Sequence, residues 1–446
     1  MFMRRVIVAC VVVCLACAAP VRAWAEAGGA ARTFIINLDY LDQSKAQYQA
    51  GDAKTVATVN ALIGRANTVM NWGPWSVLDD GLMPPSGDPH DYLSYGSYWW
   101  PNPDTPDGLP WIARDGYINP ANDGDLRSLG QFSQAAESLG LAYYMTGDER
   151  YSTALARDLR TWFLDPATRM NPVQKYGLII PGISDKSFDT AGFRNTMRTI
   201  FDSAGILEMS PNWSASDKTA LQQWAHDFAT FIDNSDEGQA QFEDPANHGT
   251  NFDVNKAILN LYSGDLGKAH EAIQYYLDQR MPGQFAANGE QIFEMGRANN
   301  FLYHRYHLGV VFDLAQMATN YFPDLDVWNH VTPDGASLQS AVQFMLPYFT
   351  GELEWPYFEP GNEFPRDDDL YYWQVMVVAA VGMHDPDLYR LAEQHRSKIY
   401  IYDSRMLTHP ASAVPEPATV ATTAMALVSL ATGYALRRRR LLRRTS

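Results

Sequence analysis

Beyond position 17 the chain has no cysteine: of 446 residues only Cys10, Cys14 and Cys17 are cysteine. All three lie in an N-terminal apolar stretch that reads as a removable export signal, so the folded body offers no thiol. That excludes a small disulfide-stapled fold, a thiol nucleophile and a thiolate metal site. Positive charge is also scarce. Lys and Arg number 34 against 51 Asp and Glu, a formal net charge of −17. With no basic field to recruit phosphate, a nucleic-acid partner is excluded. Strand-like alternation is rare. No Gly/Ser- or Pro-rich linker interrupts residues of roughly 30–403, so one folded domain is expected there.

What is present begins at the two ends. Arg4 and Arg5 precede an apolar run over 6–19, and Ala23-Trp24-Ala25 places small residues where a signal peptidase reads. Residues 1–25 are therefore expected to be a signal peptide. At the other end, Val414-Pro415-Glu416-Pro417 leads into an apolar stretch of 19 residues over 418–436. Arg437-Arg438-Arg439-Arg440 follows, with Arg443 and Arg444 beyond. The stretch is long enough to span a bilayer, and the arginines mark its cytoplasmic side. Segment 414–446 resembles the PEP-CTERM sorting signal of Gram-negative bacteria. The resemblance implies recognition by an exosortase-type sorting machinery and removal of the tail; a plain C-terminal anchor is the alternative. Residues 404–413 then read as a tether. The expected location is the periplasm, the cell surface or the medium, with membrane contact only through the two end segments. Without Arg4, Arg5, Arg22, the six tail arginines and Glu416, the body carries 25 positive against 50 negative side chains, a net −25.

Between the ends the apolar spacing is helical. In 149–164, Tyr151, Ala154, Leu155, Leu159, Trp162 and Phe163 recur at three-and-four spacing. In 214–234, Leu221, Trp224, Phe228, Phe231 and Ile232 repeat it, and Ser214 with Asp217 forms a capping signal. The same pattern predicts helices over 55–70, 128–145, 193–208, 252–262, 268–279, 301–319, 338–346, 370–381 and 387–396. Helices follow one another across short breaks at Gly147-Asp148, Gly264-Asp265 and around Gly382. Tight breaks make antiparallel hairpins, and many hairpins in one all-α domain predict an α/α toroid, an incomplete barrel with loops at one rim. The 71–125 stretch is irregular yet holds Trp72, Trp75, Trp99, Trp100 and Trp111. Long loops inside a compact domain are usually functional, and tryptophan faces suit the apolar face of a sugar ring.

Three segments carry the candidate chemistry. The first holds His90, Asp91, Tyr92, Trp99, Trp100, Arg114 and Asp115. The second holds Arg169, Asn171 and Tyr176. The third is Asn247-His248-Gly249-Thr250 with Glu294, Arg297 and Tyr303. Asn, His, Arg and Tyr, with neither an activated nucleophile nor paired metal ligands, suit removal of a proton beside a carboxylate. Asn247 and Arg297 neutralise the carboxylate as charge moves onto it. A Tyr or His takes the proton, and an acid protonates the departing glycosidic oxygen. The product is unsaturated and no water is consumed.

The strings PHDYLSYGSYWWPNP, DGLPWIARDGYINP, FLDPATRMNP and NHGTNFD, with the ExxR of Glu294 and Arg297, resemble the alginate lyase superfamily in their order along the chain. The resemblance implies an α/α toroid and metal-independent β-elimination on an anionic, uronate-containing polysaccharide, without a cofactor. It puts Asn247, His248 and Arg297 at the substrate carboxylate and makes Tyr303 the proton-transferring residue, with His248 able to serve as base. His90, Tyr92, Trp99, Trp100, Tyr176 and Glu294 are the expected substrate-binding residues. Two alternatives stand beside this reading. A glycoside hydrolase on the same scaffold needs two carboxylates across the cleft, with Asp91, Asp115 and Glu294 the candidates. A non-catalytic surface lectin needs only the cleft.

Overall fold

The structure is a computed structural model and describes residues 30–121, 124–357, 370–396 and 403–414. The signal peptide (1–25) and all of the sorting segment except Val414 lie outside the described residues. Among the described residues no helix is long and apolar enough to cross a membrane.

Among the described residues fifteen α-helices follow in order: α1 (Leu38–Gln49), α2 (Ala53–Val69), α3 (Asp125–Thr146), α4 (Glu149–Leu159), α5 (Thr190–Leu207), α6 (Ala215–Asn234), α7 (Asp236–Phe242), α8 (Asn247–Ser263), α9 (Leu266–Tyr275), α10 (Met281–Gln284), α11 (Asn300–Tyr321), α12 (Leu338–Thr350), α13 (Leu370–Gly382), α14 (Pro386–Arg396) and α15 (Arg405–Thr408). Helices α3, α5, α8 and α11 pack on one another in turn, and α13 continues from α11. Outside them, α2 and α4 cover α3, α6 and α9 cover α8, and α14 covers α13. This is an α/α toroid. The two layers differ as their sequences require. A helix buried all round is an inner one, while a helix with one apolar stripe covers it. Helix α8 buries residues on every side from Asn247 to Tyr262, whereas α9 buries only Ala269, Ala272 and Ile273.

The tight turns are those the glycines dictate. Helices α3 and α8 end at Gly147 and Gly264, both left-handed, and Asp148 and Asp265 cap the next helix at once. The Ser214–Asp217 capping box is present. The predicted 149–164 and 268–279 helices both finish in a π-helical turn, Arg160–Leu164 and Tyr276–Arg280. Helix α1 escapes the periodicity because it buries only Leu41 and Ser44. Buried Asp202 of α5 fastens the segment before it, accepting the Ile35 and Ile36 amides, the latter at 2.9 Å.

The long loop is built on two small sheets. Strand β1 (Leu93–Tyr95) pairs parallel with β4 (Tyr176–Ile179), and β2 (Trp99–Trp100) pairs antiparallel with β3 (Ile112–Ala113). Trp75 goes into the core and bonds Gln131 of α3 at 3.2 Å, which pins the loop's start.

The expected tether is not one. Residues 403–414 pack into the fold: Leu407, Thr408 and His409 are buried, Ser44 donates to the Leu407 carbonyl at 2.7 Å, and Tyr389 donates to the His409 carbonyl at 3.0 Å. Polar composition at 404–413 masked a segment whose helix α15 packs against α1, α2 and α13.

Candidate active site

The inner helices bring their N-termini to one rim. The beginnings of α3 and α5 touch: a Cβ on Gly192 would lie 2.9 Å from the Leu126 side chain. Thr190, the first residue of α5, contacts His248 at the start of α8. Glu294, in the short turn before α11, reaches Asn247. The loop carrying β2 and β3 closes over that rim through Tyr98 and Asp115.

Asn247 opens α8 behind Ala246, which has no capping side chain. The cap comes from Glu294 instead. Its carboxylate accepts the Asn247 backbone amide at 3.0 Å and the side-chain amide at 2.9 and 3.1 Å. Helix N-termini leave such amides unsatisfied, and a carboxylate there also meets the positive end of the helix dipole. Gly249 is required by close approach. A Cβ there would lie 2.1 Å from the Asp244 carbonyl and 2.2 Å from Arg280 Nη1.

Arg297 follows Glu294 in extended backbone and Tyr303 lies in the first turn of α11. The guanidinium lies over the Tyr303 ring, 3.6 Å from its centroid, and Nη2 donates to the Tyr303 hydroxyl at 2.6 Å. Nη2 and Nε also hold Asp115, at 2.7 and 3.3 Å. The Tyr303 hydroxyl donates to Tyr98 at 3.2 Å. Asn247, His248, Arg297 and Tyr303, far apart in sequence, therefore share one site.

Burial sets the protonation states. It lowers the His248 imidazole below its usual range, with Asp244 opposing and Arg297 assisting, so the ring is a neutral proton acceptor. It pushes the Tyr303 phenol well up, with Tyr98 adding to the effect and Arg297 opposing it, so the hydroxyl carries its proton. Burial also works to raise Asp115, but Arg297 and the Ala298 and Gly116 amides outweigh it and hold the carboxyl low.

Glu294 is pushed up from 4.5 to about 7 by burial, against the bonds from Asn247. The folded state then holds this proton more tightly than the unfolded chain. The associated stability is complete below 4.5 and is lost as pH rises through about 7. Glu294→Gln, with no proton to lose, is expected to show a smaller fall in Tm across that window than the parent, as thermal unfolding at a series of pH values will read.

The other expected site residues divide. Trp99 and Trp100 stand half-buried on β2, and Arg114 stacks on Trp100 at 4.9 Å. Tyr176 begins β4, paired with Leu93, and is buried. Tyr92 is a correction. It is fully buried, so its ring belongs to the core beneath β1 and does not line the cleft. His90 braces two loops: its Nδ1 bonds the Arg169 carbonyl at 2.6 Å, and its own carbonyl accepts the Asn171 amide. Asp91 joins that brace through Asn171 at 2.8 Å. Glu294 is buried and bonds Asn247. His304 and His307, close to Tyr303 on α11, are interior and held neutral by burial, at about 4 and about 3. Tyr98 and Asp115 are what the pattern did not single out as partners of Tyr303 and Arg297. Both lie in quoted motifs, but nothing in a linear string joins 98 or 115 to 297. Among the described residues, no group of three or more His, Cys, Asp or Glu could hold a metal ion.

The alginate lyase family model matches residues 76–355, which contain all of these groups. The chain belongs to the alginate lyase family. It is a polysaccharide lyase. An alginate lyase from Bacteroides ovatus shares 29% identity at a TM-score of 0.79, over 85% of this chain and 99% of that one. Alginate lyase A1-III from Sphingomonas species A1 shares the fold at 14% identity and a TM-score of 0.51, over 76% of this chain and 86% of that one. A histidine-to-alanine variant of alginate lyase A1-III, complexed with a tetrasaccharide, superposes at a TM-score of 0.54 and 14% identity, over 84% of this chain and 94% of that one. No curated protein sequence matches the chain.

Proposed function

We propose that this lyase is exported and cleaves a uronate polymer, alginate, by β-elimination without a metal. The observation that carries this reading is the Arg297–Tyr303 pair at 2.6 Å beside a neutral His248. The sugar carboxylate lies against the Arg297 guanidinium, whose bonds to Asp115 and Tyr303 use Nε and Nη2, while Asn247 is held beside it by Glu294. Charge that develops on the carboxylate is thereby met by fixed donors. His248 takes the proton from the carbon beside the carboxylate. Tyr303 gives its proton to the departing glycosidic oxygen, and Arg297 stabilises the phenolate left behind. Proton return from His248 to Tyr303 resets the site.

The hydrolase alternative loses its carboxylate pair. Asp115 is bound to Arg297, Glu294 caps α8 and Asp91 is bound to Asn171. The overall charge of −17 does not draw in a polyanion, so recognition rests on local cations. Arg297 and the exposed Arg114 beside Trp100 supply it. Export rests on the Arg4-Arg5 start, the apolar run after it and the Pro415-Glu416-Pro417 tail with its arginine cluster. Ultraviolet absorbance of the unsaturated end is expected to grow when the purified protein meets alginate, and to grow equally in the presence of a chelator. New reducing ends without absorbance would overturn elimination; loss of rate on chelation would overturn the metal-free mechanism.

A further inference from the structure

His248 must present a bare nitrogen to serve as base, and a neutral imidazole has only one. Which one is bare depends on what the other nitrogen meets. Three helices meet behind the ring. Nδ1 lies 3.3 Å from the hydroxyl of Thr190, the first residue of α5. The same hydroxyl lies 3.3 Å from the side-chain oxygen of Gln241 on α7. Thr190 is fully buried, so water does not offer it another partner.

The donor count decides the direction. A threonine hydroxyl has one hydrogen, and an amide oxygen can only accept. The hydrogen therefore goes to Gln241. Toward His248 the hydroxyl has only lone pairs left, and Nδ1 must be the donor. Nε2, on the opposite edge of the ring, is left without a hydrogen.

We infer that Thr190, oriented by Gln241, is a positioning residue that holds His248 as the Nδ1–H tautomer and leaves Nε2 as the proton acceptor of the elimination. The inference rests on the reading of His248 as base, but the tautomer itself is testable without turnover. The backbone of Thr190 supports the arrangement, because its carbonyl accepts the Asn255 side chain of α8 at 2.8 Å. The hydroxyl is thus held against α8 from two sides of the same residue.

The test uses the whole protein, with nitrogen NMR of histidine-labelled samples and His248→Ala to assign the signal, alongside steady-state kinetics. The parent is expected to show His248 Nε2 as the unprotonated nitrogen. Thr190→Val keeps the shape and removes the acceptor. It is expected to move the ring toward the Nε2–H form and to lower kcat about 10–100-fold with little change in KM, a fraction of what general base catalysis supplies. Thr190→Ser restores a hydroxyl and is expected to restore both the spectrum and the rate. An Nε2–H ring in the parent, or a Thr190→Val protein with parental tautomer and rate, overturns the inference. A tautomer that shifts as expected while kcat stays constant supports the assignment and overturns His248 as base.

Discussion

Tyr303→Phe is expected to reduce turnover of alginate about 10²–10⁴-fold while the helical content and Tm stay near those of the parent. The variant keeps the ring that packs under Arg297 and removes only the hydroxyl that Arg297 and Tyr98 share. Arg297 stays anchored on Asp115, so the carboxylate site survives and KM changes little. What is lost is the proton for the leaving oxygen and the charge it leaves on the phenol. His248→Ala removes the acceptor and is expected to fall by a similar factor. The double variant is expected to be little worse than either single one, because residues acting on one step are not additive. Absorbance kinetics with circular dichroism on the same samples reads both halves. Near-parental rates in both variants would remove these residues from the chemistry.

Arg280→Ala is expected to cost about 3–5 kcal/mol of stability, because it strands a buried carboxylate. Its guanidinium holds Asp253 of α8, with Nη2 at 3.1 Å, and both side chains are almost without solvent. Nη1 also donates to the Asp244 carbonyl at 3.0 Å and Nη2 to the Phe242 carbonyl at 3.1 Å. These carbonyls belong to the segment that leads into Asn247 and His248. The same change therefore lowers the denaturant midpoint and loosens the start of α8, and kcat falls with it. Domains are stable by only about 5–15 kcal/mol, so the loss is a large fraction of the total. Arg280→Lys is not expected to rescue, since an ammonium lacks the fork that meets Asp253 and two carbonyls at once. Pairing Arg280→Met with Asp253→Leu removes the stranded charge and is expected to recover much of the midpoint. An Arg280→Ala protein with an unchanged midpoint would show that the pair contributes nothing.

Most of the helical framework was legible in the chain, because a helix that must bury one face writes its period into the apolar residues. The segments 149–164 and 214–234 show this, and so do the breaks at Gly147 and Gly264, where only a left-handed residue ends one helix and frees the next. What escaped lacked that signature. Helix α1 hides almost nothing, and 404–413 is held by hydroxyls and backbone carbonyls more than by apolar side chains. Tyr92 misled for the converse reason: it stands between motif residues, yet its ring is fully buried in the core.

The sequence by itself determined the toroid and the lyase class, and it offered Asn247, His248, Arg297 and Tyr303 as one candidate set, since helical period and residue chemistry are local properties. Only the tertiary structure decided which groups hold that set in working order. Glu294 caps α8 where Ala246 cannot, Asp115 and Tyr98 reach Arg297 and Tyr303 from a loop 182 and 205 residues away, and Thr190 meets the back of His248. Those contacts follow from the inner helices bringing their first turns to one rim, and a linear string carries no measure of that distance.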